Sequence, residues 1–139
     1  MRKAVLDASA LLRFVDNEAG AERVEEYLEQ ARTGRLTISM SAVNWGEVTY
    51  AVMRGHGKQE ARTLLPKLKS LPLNISPIDA EIAERAGEFK NDHKIPYADA
   101  FAGTLALAET AVLITADQDF RLVPASVIKI EFLPNKSTS

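Results

Sequence analysis

Short apolar runs recur along the chain at Lys3–Leu6 (KAVL), Leu36–Ser39 (LTIS), Ala111–Thr115 (AVLIT) and Val127–Phe132 (VIKIEF), and the segments between them carry apolar residues at helical spacing. This alternation constrains the fold more than any other feature. Strands separated by helix-length segments pair in parallel through crossovers and are covered by helices on the sheet faces, so the pattern predicts an α/β sandwich around a mainly parallel sheet. Helices are predicted over Ala8–Val15, Glu22–Arg32, Ala42–Arg54, Lys58–Leu71 (bent or interrupted at Pro66), from an Asp79 cap through Phe89, and over Tyr97–Ala108 with Phe101, Leu105 and Ala108 facing inward. Leu73–Ser76 is a candidate further strand, and no internal repeat or linker interrupts the series.

The first apolar run ends in an acid. Asp7 stands between Ala4-Val5-Leu6 and Ala8-Ser9-Ala10-Leu11-Leu12, and burying an unpaired carboxylate costs several kcal/mol or forces it to take a proton. Two roles stay open to it at this point: a cap for the helix that follows, or a ligand for something cationic.

Most of the other acids are uninformative. Glu22, Glu25, Glu26, Glu29, Glu81, Glu84 and Glu88 fall on helix positions expected to face water. Glu47, Asp99 and Asp117 do not: Glu47 follows the second strand in SAVNWGEVTYAVMR, Asp99 opens a helix in IPYADAFAGTLAL, and Asp117 follows the strand AVLIT. In a parallel α/β sheet the strand C-termini and the following helix N-termini share one edge, and all four acids are expected there. Each has a local explanation: a cap for Asp7, helix-dipole complementation for Glu47 and Asp99, a turn for Asp117. Asn44, three residues before Glu47, even has capping-box spacing. Together, with the small neighbours Ala8, Gly46, Ala98 and Ala100, they point instead to an all-oxygen site for a hard divalent cation, Mg²⁺ or Mn²⁺.

Composition removes other chemistries. The chain has 139 residues, 46% hydrophobic and 26% charged, enough for one domain with its own core. It has no cysteine, which excludes disulfide scaffolds, thiolate zinc sites and cysteine nucleophiles. No apolar run approaches the ~20 residues of a membrane span, and no signal-peptide pattern opens the chain, so a cytoplasmic protein is expected. The 17 basic and 19 acidic residues do not give the basic balance of a general nucleic-acid binder, although a local basic face is compatible with it.

In order and spacing, VLDASALL, VNWGEVTYAVMR, YADAFAGTLAL and LITADQDF resemble the PIN-domain ribonucleases, and within them the VapC toxins of toxin–antitoxin pairs. The resemblance implies a three-layer α/β/α sandwich with a central, mainly parallel sheet of about five strands. It implies a nuclease domain over residues 1–134, followed by a polar tail at 135–139. It makes Asp7, Glu47, Asp99 and Asp117 the catalytic, metal-holding quartet, with Asp7 and Asp99 as principal ligands. Ser9 and Thr115 become supporting hydroxyls and Asp119 a fifth acid. The implied activity is Mg²⁺-dependent endoribonucleolytic cleavage, with Mn²⁺ able to substitute, and the implied partners are an RNA substrate, a small antitoxin protein and a second copy of the chain. Candidate dimer elements are Leu11, Leu12, Phe14 and the helix after Asn17.

Candidate RNA contacts are Arg13, Arg54, Lys58 and Arg62, basic residues that would hold phosphates without reading sequence. Trp45 is assigned to core packing before base stacking, and His56 and His93 to the exposed surface. Two alternatives remain beside the toxin: a PIN nuclease in RNA processing or turnover without an antitoxin, and a non-catalytic PIN-like binding module. A receiver domain and an aspartate-based phosphatase fit poorly. The first needs a lysine where ITADQDF has an acid, and the second a further aspartate where Ser9 stands.

Overall fold

The computed structural model describes residues 2–136. In chain order it consists of β1 (Arg2–Leu6), α1 (Ala8–Val15), α2 (Ala21–Arg32), β2 (Leu36–Ser41), α3 (Ala42–His56), α4 (Lys58–Lys69), β3 (Asn74–Ser76), α5 (Ala80–His93), α6 (Tyr97–Glu109), β4 (Val112–Thr115), a 3-10 turn over Gln118–Leu122, and β5 (Ile130–Phe132). The five strands form one sheet in the order β3-β2-β1-β4-β5, and every pairing is parallel. From β1 the chain builds outward to β2 and β3, then returns to the other side of β1 for β4 and β5. The strand order therefore reverses between β1 and β4, the place where open parallel sheets form a crevice beyond their carboxyl ends.

The period-two alternation of strand side chains separates two cores. Ala4, Leu6, Ile38, Met40 and Ile114 pack with α1–α4 on one face, while Val5 and Leu113 pack with α5 and α6 on the other. Leu6, Leu113 and Ile114 are wholly buried, each contributing about 1.5–3 kcal/mol relative to an exposed position.

The sixth helix sits close because its residues are small. Ala100, Ala102, Gly103 and Ala106 are all buried, and a Cβ added at Gly103 would lie 2.6 Å from two ring carbons of Phe89 on α5. Gly103→Ala is therefore expected to lower stability by about 1–2 kcal/mol despite the better helix propensity of alanine. Gly87→Ala, where no atom lies within 4 Å, is expected to raise it by up to about 1 kcal/mol. Urea unfolding of both variants checks the contrast.

Several boundaries differ from the sequence reading. The fourth helix runs through Pro66 to Lys69; the proline and Arg62, whose carbonyl it strands, both lie on the exposed side where water can pair that carbonyl. The last strand begins only at Ile130, because a turn closed by Val127 N–H on the Pro124 carbonyl (2.9 Å) occupies the start of the expected segment. Ala108 is exposed rather than inward, and Ala106 takes the core position. Of the expected tail, Asn135 accepts from Gln118 and Lys136 pairs with Glu18, while residues 137–139 lie outside the described residues. No described helix is long and apolar enough to cross a membrane.

Candidate active site

Asp7, the first residue beyond β1, is 3% exposed. Its Oδ1 accepts from the Ala10 amide (2.9 Å), making it the N-cap of α1, and from the Ser9 hydroxyl (2.7 Å). Its Oδ2 accepts from the hydroxyl of Thr115, the last residue of the adjacent strand β4. The capping role and the position at the sheet edge thus belong to one residue. Burial nevertheless pushes its carboxyl up to about 6, against the lowering effect of Thr115, Ser9 and the Ala10 amide, and the charge of Asp117 adds to the rise.

Ser9 and Thr115 tie β1 and β4 together at this edge. The Ser9 hydroxyl lies 3.3 Å from Thr115 Oγ1 and accepts from the Ala116 amide (2.9 Å). Thr115 Oγ1 accepts from the Asp117 amide (2.9 Å). Asp117 in turn caps the 3-10 turn, its Oδ1 accepting from the Asp119 amide at 2.9 Å. Wholly buried Thr115 therefore fixes Asp7 and Asp117 relative to one another through a single oxygen.

Asp99 lies in the first turn of α6, 8% exposed, and its Oδ2 is buried without a hydrogen-bond partner. Burial raises its carboxyl to about 8, a hydrogen bond that the protonated acid shares with Asp117 comes next, and the charges of Asp117, Asp7 and Glu47 add to the rise. A carboxylate oxygen from each of Asp99, Asp117 and Asp119 lies within 4.8 Å of the other two. Glu47 approaches from α3. Asn44, 1% exposed, donates through Nδ2 to Glu47 Oε1 (2.9 Å) and to the carbonyl of Ala98 (3.1 Å), the residue before Asp99. One amide thereby clamps the third helix to the sixth and sets the spacing of their acids.

Asp7, Ser9, Glu47, Asp99 and Asp117 line one open cleft of about 610 Å³, together with Leu12, Val43, Tyr50 and Ala51. The donor set is entirely oxygen, one buried carboxylate oxygen is unpaired, and carboxyls crowd together with no cation among the described residues between them. Those features fit a hard divalent ion.

Two residues important to this geometry had no part in the site as read from the sequence. Asn44 looked like half of a capping box, but Ser41 is the N-cap of α3, its Oγ accepting from the Val43 amide; the buried amide is spent on Glu47 and Ala98 instead. Tyr50 carried no signal beyond an aromatic residue in a helical segment.

The basic candidates divide. Arg54, Lys58 and Arg62 are exposed. Arg13 is not available to RNA or to a partner chain: it is 8% exposed, and its Nη1 donates to the carbonyls of Ala19 and Pro134, both at 2.7 Å, holding the α1–α2 loop to the chain after β5. Leu11 is wholly buried and leaves the candidate dimer surface, whereas Leu12 and Phe14 are partly buried against the core. Trp45 also packs against that core. The histidines are half-buried rather than exposed: His56 sits 3.1 Å from Asp16, and His93 packs its ring on Phe89 at 4.5 Å.

The PIN domain family model matches residues 4–125. No curated relative matches the sequence. Among solved structures, the chain is similar to VapBC2 from Rickettsia felis bound to a promoter DNA fragment, with a TM-score of 0.72 and 20% identity over 95% of this chain and 99% of that one. DNA-bound VapBC from Salmonella typhimurium gives 0.74 and 16% over 95% and 98%. The sarcin–ricin-loop-cleaving toxin VapC20 from Mycobacterium tuberculosis gives 0.67 and 17% over 85% and 92%. At these identities the likeness is one of fold.

Proposed function

The chain belongs to the PIN-domain family, and from that premise we propose that it is a divalent-metal-dependent endoribonuclease, the toxin of a type II toxin–antitoxin pair. The observation that carries the reading is the buried, unpaired Asp99 Oδ2 in a cleft shared with Asp7, Glu47 and Asp117. Such an arrangement is unfavourable by itself and becomes favourable around a cation. VapBC-5 from Mycobacterium tuberculosis, another structure this chain resembles, is a member of the VapBC family of toxin–antitoxin systems, and VapC20 cleaves the sarcin–ricin loop; the antitoxin partner and the RNA substrate are proposed here on that likeness. A homodimer and a cytoplasmic setting belong to the same proposal.

Mg²⁺, with Mn²⁺ able to substitute, would be held by Asp99 and Asp117 with Asp7 and Asp119 beside them. When bound, such an ion supplies Lewis acidity toward the phosphodiester, making an attacking water more acidic and offsetting charge on the leaving oxygen. Asp99, whose carboxyl burial holds up at about 8, gives up its proton to create the negative site. Asp7 is held rigid by Ser9, Ala10 and Thr115, so the β1 edge does not move as charge develops. Glu47, whose Oε1 accepts from Asn44, would accept a hydrogen bond from the attacking water and then its proton. Arg54, Lys58 and Arg62 would hold flanking phosphates.

Incubation with total cellular RNA tests this. Discrete cuts are expected with Mg²⁺ and none with EDTA, the new 5′ ends mapping to few sites. Cleavage indifferent to EDTA, or none with either metal, would overturn the reading.

A further inference from the structure

On α3, Glu47, Tyr50 and Arg54 recur at i, i+3 and i+7, so helical periodicity sets them on one stripe about 10 Å long. All three are exposed. The stripe starts inside the carboxylate cleft, which both Glu47 and Tyr50 line, and Arg54 lies one turn beyond.

Tyr50 is 65% exposed. Among the described residues the close aromatic pairs are Phe89–His93 and Tyr97–Phe101, and the cation–ring contacts are Arg23–Tyr27 and Arg121–Phe132. The faces of the Tyr50 ring therefore carry neither kind of partner. Arg54 enters none of the ion pairs among the described residues. An open π-face and a free guanidinium one turn apart, beside a site built for a phosphodiester, match a flat base attached to an anionic backbone.

A protein interface fits this patch less well. The remaining exposed large apolar residues, Tyr97, Leu107 and Leu122, do not line the cleft, and Gly46, Glu47, Arg54 and Gly55 are the exposed residues nearest along the helix. Interface cores favour Tyr and Arg but are depleted in Glu and built on apolar neighbours, which this stripe, opening on Glu47, does not offer.

We propose that Tyr50 stacks on an unpaired nucleobase next to the scissile phosphate while Arg54 holds the adjoining phosphate, so that this stripe of α3 sets the path and base preference of single-stranded RNA. The inference rests on the reading of the cleft as a ribonuclease site. Stacking accepts every base but favours larger ones, so a several-fold purine preference is expected at one nucleotide beside the cut.

The test measures binding separately from cleavage. Fluorescence anisotropy with a labelled purine-rich oligoribonucleotide and Mg²⁺ is run in an Asp99→Asn background. Tyr50→Ala is expected to raise Kd about tenfold to a hundredfold, Tyr50→Trp and Tyr50→Phe to retain binding, and Tyr50→Leu to fail like alanine. Replacing one nucleotide with an abasic residue should cost the parent the same factor and cost Tyr50→Ala nothing more. Rescue by leucine, an abasic penalty that survives in Tyr50→Ala, or binding unchanged by Tyr50→Ala overturns the proposal. An unchanged Kd with a halved particle mass in light scattering would assign the ring to a protein interface instead. Because binding is read without cutting, failure of the wild-type chain to cleave RNA counts against the nuclease reading alone.

Discussion

Asp99→Asn is expected to reduce RNA cleavage by on the order of a thousandfold or more, and to make the metal-free protein more stable at pH 8. The two effects have one cause. Asp99 is buried, its Oδ2 has no partner, and Asp117, Asp7 and Glu47 oppose its ionisation. Asparagine keeps the size and removes the charge, relieving the metal-free fold by about 1–3 kcal/mol and raising Tm by several degrees. The oxygen that would meet the cation becomes a weaker, neutral ligand, and metal affinity falls with activity. A residue whose role was only to cap or complement α6 would behave oppositely, losing stability and keeping activity. Calorimetry in EDTA and a cleavage assay in Mg²⁺ on the same preparation decide between them, and a drop in Tm with retained cleavage would sink the assignment.

How much of this was readable in the sequence depends on how far apart the interacting residues lie. The strands β1 and β4 announce themselves as apolar runs, so an acid within two residues of the end of each was visible as an acid at a sheet edge. The partners that fix those acids were less visible. Ser9 is two residues from Asp7, but the Thr115 hydroxyl reaches it across 108 positions, and only strand order places them side by side. The clamp of Asn44 on the Ala98 carbonyl spans 54 positions and ends on backbone, which no side-chain pattern signals. Arg13 misled for the same reason. Both its acceptors are main-chain carbonyls, one of them 121 residues away, and a guanidinium satisfied by carbonyls leaves no acidic partner to find. Tyr50 was obscured differently: a helix position that faces a cleft has the same period as one that faces a core.

The topology explains why the acids are both costly and well placed. At the reversal of strand order between β1 and β4, the following helix and turn diverge, and backbone groups that would fill the gap point away from it. Side chains from four segments can then meet with little backbone between them. Apolar side chains there would close the crevice and gain stability; carboxylates keep it open and lose some. Sites of this kind commonly sacrifice stability for function.

That cost is titratable, and its sign differs from ordinary acid denaturation. Asp7 and Asp99 ionise in the unfolded chain near 3.8 but in the metal-free fold only at about 6 and about 8. Between those values the folded state binds more protons than the unfolded state, so stability falls as pH rises. Stabilising pairs such as Arg23–Glu131, which lowers the Glu131 carboxyl, contribute above the ordinary carboxylate range and are lost only as pH falls through it, so they do not mask the trend above pH 5. In EDTA, Tm is therefore expected to decline from pH 5 to pH 8 by several degrees, the part above pH 6 coming from Asp99. A divalent cation binds the ionised cluster and not the protonated one, so added Mg²⁺ should do little at pH 5 and raise Tm increasingly toward pH 8. Asp99→Asn should flatten the decline between pH 6 and 8 and abolish most of the Mg²⁺ response. A metal-free Tm that rises steadily from pH 5 to 8, or a Mg²⁺ response equal at both ends and intact in Asp99→Asn, would show that these carboxylates do not form the cation site.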